Sequence, residues 1–419
     1  MPSIARKLLS CALPALIAWA VLAVSPAHGQ ILRGEWVDRS QQSIDEHRKT
    51  QVVVVVLNEN DRPIQGAQVH LEQVRHDFVL GIAVGDAGPP TGDAGELPVW
   101  RCFNALALDR LTDWLIDPPT PAQEVDAAAE QWHDWLDPVE VSYGPVLSAD
   151  AARIPERVLS LDTSPLRSAV HERVGRALQV SDRVDRFDLY ADLTGHALLE
   201  DRLGAGILNM LYDTAGARRP DAAICLRVRD GLDTRRSAQL RQRMRALGVR
   251  QVHFDAVTID QSFPGTVNAP SLERILNDRI APLDTRITIA NLNVAGSSDV
   301  AAAINLETVL RLLFATPNIH GIYLAGMAGD DLAEPASALI DQAGEPAACG
   351  QVVEGLFRGL WWTDLTLPSD DIGNARADVF AGRYRITATL PDGRVLETEA
   401  HLPRSDEPRY IVLQAGPGE

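Results

Sequence analysis

Lysine is nearly missing from this chain of 419 residues: Lys7 and Lys49 are the only two, so almost all of its 39 basic residues are arginine. An excess of positive charge is missing as well, since 57 acidic residues leave a formal net charge of −18. Such a surface repels nucleic acid and anionic lipid and suits a neutral or cationic partner. Cysteine is scarce, at four. Cys102, Cys225 and Cys349 lie too far apart for a clustered metal site, and Cys102 and Cys225 adjoin or lie within apolar strand-like runs, where buried, inert thiols are expected. The sequence shows no Gly-rich phosphate fingerprint after a strand, no P-loop, no nucleophile elbow and no zinc-type His/Cys cluster, so neither a metal nor another cofactor is expected. Beyond the first 24 residues no apolar run is long enough to span a bilayer.

What is present begins with a leader pattern. Arg6 and Lys7 precede an apolar run from Leu8 to Val24, and Ala27-His28-Gly29 stand ahead of Gln30. A basic start, a short apolar core and small residues at −3 and −1 predict a signal peptide over residues 1–29 and a secreted or periplasmic protein. The apolar run can just reach the ~18 residues of a spanning helix, which leaves a retained anchor as the alternative. Removing residues 1–29 takes away two basic residues, no acid and Cys11, leaving a charge of −20 and three cysteines. At least one thiol then stays free.

Residues 30–77 read as β-rich: two apolar runs, Val52 to Leu57 and Ile64 to Leu71, flank a polar turn, as in a hairpin or small sandwich. Matching signals return over 364–419, at Tyr384 to Leu390, Val395 to Leu402 and Tyr410 to Leu413. A lone hairpin is marginal in water, so the two ends are expected to pack together as one small β domain. Between them, over 78–363, strands alternate with helices. The strands are expected at Phe78 to Val84, Phe103 to Leu108, Val139 to Val146, Arg186 to Ala191, Ala222 to Val228, Val249 to Ile259, Arg286 to Leu292 and Asn318 to Ala325. The helices are expected near 121–136, 166–179, 199–216, 234–247, 271–281, 299–315 and 351–361. In the helix at 166–179, Ser164 before Pro165 fits an N-cap with proline at the first helical position. Gly204-Ala205-Gly206 falls inside a helical pattern, where close packing is the expected reason for glycine. Eight such repeats predict an α/β fold, a (β/α)8 TIM barrel with the β domain attached. A doubly wound open sheet is the alternative.

The centre of this pattern is Arg186-Phe187-Asp188-Leu189-Tyr190-Ala191-Asp192-Leu193-Thr194-Gly195-His196, a strand ending in a loop that carries a carboxylate and a histidine. In β/α chains such loops are where chemistry is built. This stretch, with Asp201-Arg202-Leu203-Gly204, is similar to the W-D-V-x-N-E and D-R-L-G segments of glycoside hydrolase family 10, the endo-1,4-β-xylanase family. In the same order, Asp255 to Phe263 resembles D-G-I-G-x-Q-x-H-F, Ile289 to Val294 resembles I-T-E-L-D-V, and Gly321 to Gly326 resembles G-I-x-x-W-G. Leu339-Ile340-Asp341 through Trp361-Trp362-Thr363 resembles the closing L-x-D…W-W-T. The resemblance implies a barrel acting on, or binding, xylan-like β-1,4-linked polysaccharide.

A retaining glycosidase needs one carboxylic acid to protonate the leaving oxygen and a second carboxylate to attack the anomeric carbon. The family's acid/base glutamate falls on Asp192, one methylene shorter, and its nucleophilic glutamate falls on Asn291. An amide cannot form the glycosyl ester or stabilise the cationic transition state as a carboxylate does. Around them the family's asparagine, glutamine, histidine and tryptophan become Ala191, Asp260, Ser262 and Ala325. N-D-Y becomes Arg229-Asp230-Gly231, and an early lysine becomes Asp113 beside Trp114. The expectation is therefore a catalytically degenerate, polysaccharide-binding protein. Trp114 is a sugar-stacking candidate, and Asp230, Asp260 and His196 are substrate-binding candidates. Two alternatives stay open: a hydrolase using relocated carboxylates such as Asp192 and Asp260, and a structural or protein-binding role without glycan. His253 and His320 read as core histidines. Trp132 and Trp135 are expected to pack the inner face of one helix, and one of Trp361 and Trp362 to face the core.

Overall fold

A computed structural model of the chain describes residues 34–84, 99–109, 122–136, 140–191, 198–327, 337–341 and 344–416. Strands β3 (Val79–Ala83), β4 (Ala105–Ala107), β5 (Glu140–Tyr143), β7 (Arg186–Ala191), β8 (Ala223–Arg229), β9 (Ala256–Phe263), β10 (Arg286–Val294) and β11 (Ile319–Leu324) pair in parallel in that order. β11 returns to β3, and β5 meets β7, so the sheet closes into a barrel and the open doubly wound alternative falls away. The short β6 (Leu147–Ser148) adds a second contact to β7. The helices, all outside the barrel in sequence order, are α1 (Glu35–Arg48), α2 (Ala122–Leu136), α3 (Glu156–Leu159), α4 (Thr163–Ala177), α5 (Leu198–Leu203), α6 (Ile207–Arg218), α7 (Thr234–Val249), α8 (Ala269–Ile275), α9 (Asp299–Ala315) and α10 (Ala348–Glu354).

Several local expectations are corrected. The helix at 166–179 begins at Thr163 after Asp162, so Ser164 lies inside it. The helix expected over 199–216 is broken into α5 and α6: Gly204 takes φ +85, and no atom lies within 4 Å of a Cβ placed at Gly204 or Gly206. A left-handed helix end, which glycine adopts without steric cost, accounts for Gly204 where packing does not. Val249 ends α7 at 86% exposure, and the sixth strand starts only at Ala256. His253 precedes that strand with its side chain 82% exposed, so it is a surface residue. Trp361 is the core member of its pair, stacked on Phe314 at 4.2 Å, while Trp362 lies under the Arg358 guanidinium. Trp132 packs against Trp100. The three described thiols are buried, and burial pushes each up to about 12.

Strands from both ends of the chain pair with one another in two further sheets. β1 (Lys49–Leu57) lies between β13 (Asn374–Phe380) and β16 (Arg409–Gln414), and β2 (Gln68–His76) lies between β12 (Asp364–Pro368) and β14 (Gly382–Thr389), with β15 (Val395–Leu402) outside β14. β1 and β2 thus enter opposite sheets and do not pair as a hairpin. Their inward residues, Val52, Val54, Val56, Val69, Leu71 and Ile386 among them, share one apolar core, the layer arrangement expected when each sheet has a single greasy face.

The N-terminal segment also carries a helix that the apolar pattern does not announce. In α1 only Trp36, Ser40, Ile44 and Arg48 are buried, a stripe at i, i+4 spacing with two apolar members. Arg48 ends that stripe and donates to the carbonyls of Phe314, Thr316 and Ile319, each at 2.7 Å. It thereby satisfies carbonyls at the end of α9 that have no partner inside the helix, and desolvation lowers its pKa to about 9. Beside it His76 accepts the Phe78 amide proton on Nδ1 at 2.8 Å. Burial, with Arg48 adding to it, lowers His76 to about 3; burial, with Arg286 and Arg48, lowers His320 to about 4.

These two histidines set a pH dependence. An unfolded chain protonates them near the ordinary value of ~6.5, while the folded chain keeps them neutral to about 4 and below. Stability is therefore complete above that ordinary value and falls as the pH drops below it, by up to about 1.4 kcal/mol per pH unit for the buried His76 and by less for the partly exposed, solvent-screened His320. Urea midpoints should fall between about pH 7 and pH 5, and His76→Leu should remove the larger part of the slope. A midpoint that holds constant over that range rules the effect out.

Candidate functional site

The polar residues of the central strands point into the barrel. In a half-exposed sheet they would face solvent, but here Arg186, Asp188, Arg227, Thr258 and Thr288 are all at most 5% exposed. Room for them comes from small residues across the lumen: Ala83, Ala105 and Ala107 surround Tyr323, and a Cβ at Gly81 would stand 2.2 Å from the Tyr323 ring. In the lower layer Tyr323 donates to Glu140 at 2.6 Å, and Arg186 donates to Thr288 and Thr258 at 2.8 and 2.6 Å. Thr258 in turn donates to Asp188.

The upper layer is built around Arg227 on β8, whose side chain is 1% exposed. Its Nε and Nη2 grip both oxygens of Asp260 at 2.9 and 2.5 Å, its Nη1 reaches Asp188 Oδ2 and the Gly144 carbonyl at 3.1 Å each, and Nη2 also donates to Asp109 Oδ2. Gly144 comes this close because it has no side chain; a Cβ there would sit 2.5 Å from that of Asp188. Burial by itself disfavours the guanidinium charge, but the three aspartates outweigh it and hold Arg227 well above its ordinary pKa. Desolvation raises the pKa of Asp109, Arg227 pulls it back, and the net direction is upward.

Asn291 joins this cluster from β10. Pairing on both sides of β10 is irregular around it, and it takes φ +47. Asn accepts that left-handed backbone more readily than other side-chain-bearing residues, and the bulge turns its amide into the mouth. Its Nδ2 donates to Asp109 Oδ2 at 3.0 Å and to Asp260 Oδ1 at 3.1 Å. Two carboxylates fix the orientation of the amide, because its oxygen would be repelled by both. Both amide protons are thus committed, and Asp260 receives three charged or polar donor contacts.

Of the residues singled out in the sequence, Asn291 and Asp260 are brought together. Asp230 is placed differently: its amide donates to the Asp260 carbonyl at 2.7 Å, while its carboxylate pairs with Arg236 at 3.0 Å, making it a turn residue before α7 that does not reach the cluster. Asp192, His196, Trp114 and Asp113 lie outside the described residues. Sequence reasoning missed Arg227, Asp188 and Asp109. The available signal was a polar residue at a matching place on neighbouring strands, which becomes informative only once the barrel is known to close. Among the described residues no group of His, Cys, Asp and Glu could hold a metal ion, and no helix is long and apolar enough to cross a membrane.

No protein-family model matches the chain. It is 24% identical over 370 residues to the anti-sigma-I factor RsgI6 of Acetivibrio thermocellus, covering 85% of this chain and 47% of that protein. It is 22% identical over 399 residues to endo-1,4-beta-xylanase 3 of Arabidopsis thaliana, covering 91% of this chain and 51% of that one. The chain therefore spans about half the length of the curated relatives it matches. Among solved structures, xylanase 10B from Thermotoga petrophila RKU-1 in complex with xylobiose superposes with a TM-score of 0.56 at 15% identity, over 67% of this chain and 94% of that one. The barrel fold is that of the glycoside hydrolase family 10 xylanases.

Proposed function

We propose that this chain is an exported protein of polysaccharide metabolism that binds β-1,4-linked glycan such as xylan at the barrel mouth without hydrolysing it. The observation that carries the reading is Asn291: at the place on β10 that resembles the family's nucleophile position, there is an amide with both protons donated to Asp109 and Asp260. Nucleophilic attack requires an oxygen lone pair unencumbered and anionic. Asp260, the replacement that the sequence suggested, is held by a two-pronged guanidinium grip and by Asn291, which argues against the relocated-carboxylate alternative. The fold and the xylobiose complex of the Thermotoga petrophila enzyme support glycan as the ligand class. Fold alone does not fix function, so the ligand is decided by experiment.

Affinity electrophoresis through gels containing xylan should retard the purified protein, while a reducing-sugar assay on the same xylan stays at background. Release of reducing sugar that disappears in Asp192→Ala would instead establish a working hydrolase. Absence of retardation on xylan and on other β-1,4 glycans would favour the structural role.

A further inference from the structure

A cleft of about 130 Å³ opens in the helix layer between α1, the end of α8 and the end of α9. α9 ends at Ala315 and the chain enters β11 at Ile319, so the cleft lies at the end of the barrel where strands begin. The Arg227 cluster lies at the other end. One wall is a π turn, Leu276–Ile280, closed by the Ala281 amide donating to the Leu276 carbonyl at 2.8 Å. Single π turns inside helices are frequent at binding sites.

Three hydroxyl groups around the cleft donate to backbone carbonyls. Ser40, Ser43 and Thr316 each spend their hydroxyl proton on a helix carbonyl, those of Val37, Ala315 and Leu312, at 2.7 to 2.8 Å. A hydroxyl that has given its proton away presents only lone pairs, so these three can receive hydrogen bonds from a guest. Donors come from Asn277 in the π turn and from Arg39, which bridges α1 to Glu273 with a two-pronged contact at 2.8 and 2.7 Å.

The charges around the cleft are already paired, which favours a neutral guest. The Arg39 charge is already met by Glu273, and the negative end of α9, which would otherwise draw a cation, is already taken by Arg48. Leu276 and Leu312 supply a short apolar floor.

We propose that this cleft binds a small neutral polyol, several of whose hydroxyl groups donate to Ser40, Ser43 and Thr316 while accepting from Asn277 and Arg39. The site is separate from the barrel mouth and does not depend on the function proposed for it.

Saturation-transfer NMR on the full chain with xylitol as probe should show binding. Asn277→Leu, a substitution of an exposed residue, should weaken it about tenfold, the loss of roughly one hydrogen bond of 1.4 kcal/mol. The xylitol signal should persist when xylohexaose is added in excess, and acetate and tetramethylammonium should give none. The proposal is overturned by an absent xylitol signal, by undiminished binding in a folded Asn277→Leu, by binding of either ion, or by displacement with xylohexaose, which would place the polyol at the mouth.

Discussion

Replacing Arg227 by methionine is expected to cost the folded state about 3–5 kcal/mol, the range observed when one partner of a buried ion pair is removed. The reason is the number of groups that depend on this one guanidinium. Asp188 is 2% exposed, Asp109 11% and Asp260 21%, so none can recover full hydration when the arginine is gone. Methionine fills similar space, which separates the electrostatic loss from a cavity. Two further measurements identify the cause. Adding Asp188→Asn and Asp260→Asn to Arg227→Met should recover much of the loss, because the uncompensated charges go with them. The deficit should also shrink as the pH is lowered, because Asp109, whose pKa burial already raises, takes up a proton. A loss under about 1 kcal/mol, typical of an exposed ion pair, would mean that the cluster is not the rigid centre described here.

A glutamate at position 291, which resembles the family's nucleophile position, should fail to confer xylan hydrolysis. Asn291→Glu places a carboxylate beside Asp109 and Asp260, gives up two amide donations to charged acceptors and puts a longer side chain in a left-handed backbone. These effects together are expected to lower stability by about 2–4 kcal/mol, with release of reducing sugar from xylan still at background. Asn291→Asp separates the contributions, since it keeps the side-chain length and the tolerance of the backbone while adding the like charge. Xylan hydrolysis by Asn291→Glu at undiminished stability would show that Arg227 and its aspartates rearrange readily, and that position 291 alone had switched the reaction off.

The relation between these two variants explains why the site was only partly legible. Asn291 and Asp260 could be singled out one at a time because each occupies a place in a strand segment resembling a known family. Arg227 and Asp109 belong to no such segment, and Asp188 lies in one at a position that reasoning about carboxylate chemistry passed over. Along β7 and β8, polar and apolar residues alternate as they would in a sheet with one wet face, and the period of two says which residues share a side but not which side is enclosed. The α1 helix was illegible for a related reason: its buried stripe runs Trp36, Ser40, Ile44, Arg48, and two polar members of four dilute the apolar pattern. Arg48 is buried because three carbonyls, one in the last turn of α9 and two just beyond it, accept from its guanidinium, and those partners are more than 260 residues away in the chain.

The sequence by itself determined the alternation of strands and helices, hence the barrel. These follow from local periodicity and from the need of each sheet face to be covered. It also determined that residue 291 has no charge. Only the tertiary structure decided what that amide does, because closure of eight strands turns every second side chain inward, where water cannot solvate it. Buried charges there must be matched by one another, and the match of Arg227 with Asp109, Asp188 and Asp260 exists only when strands distant in the chain are side by side.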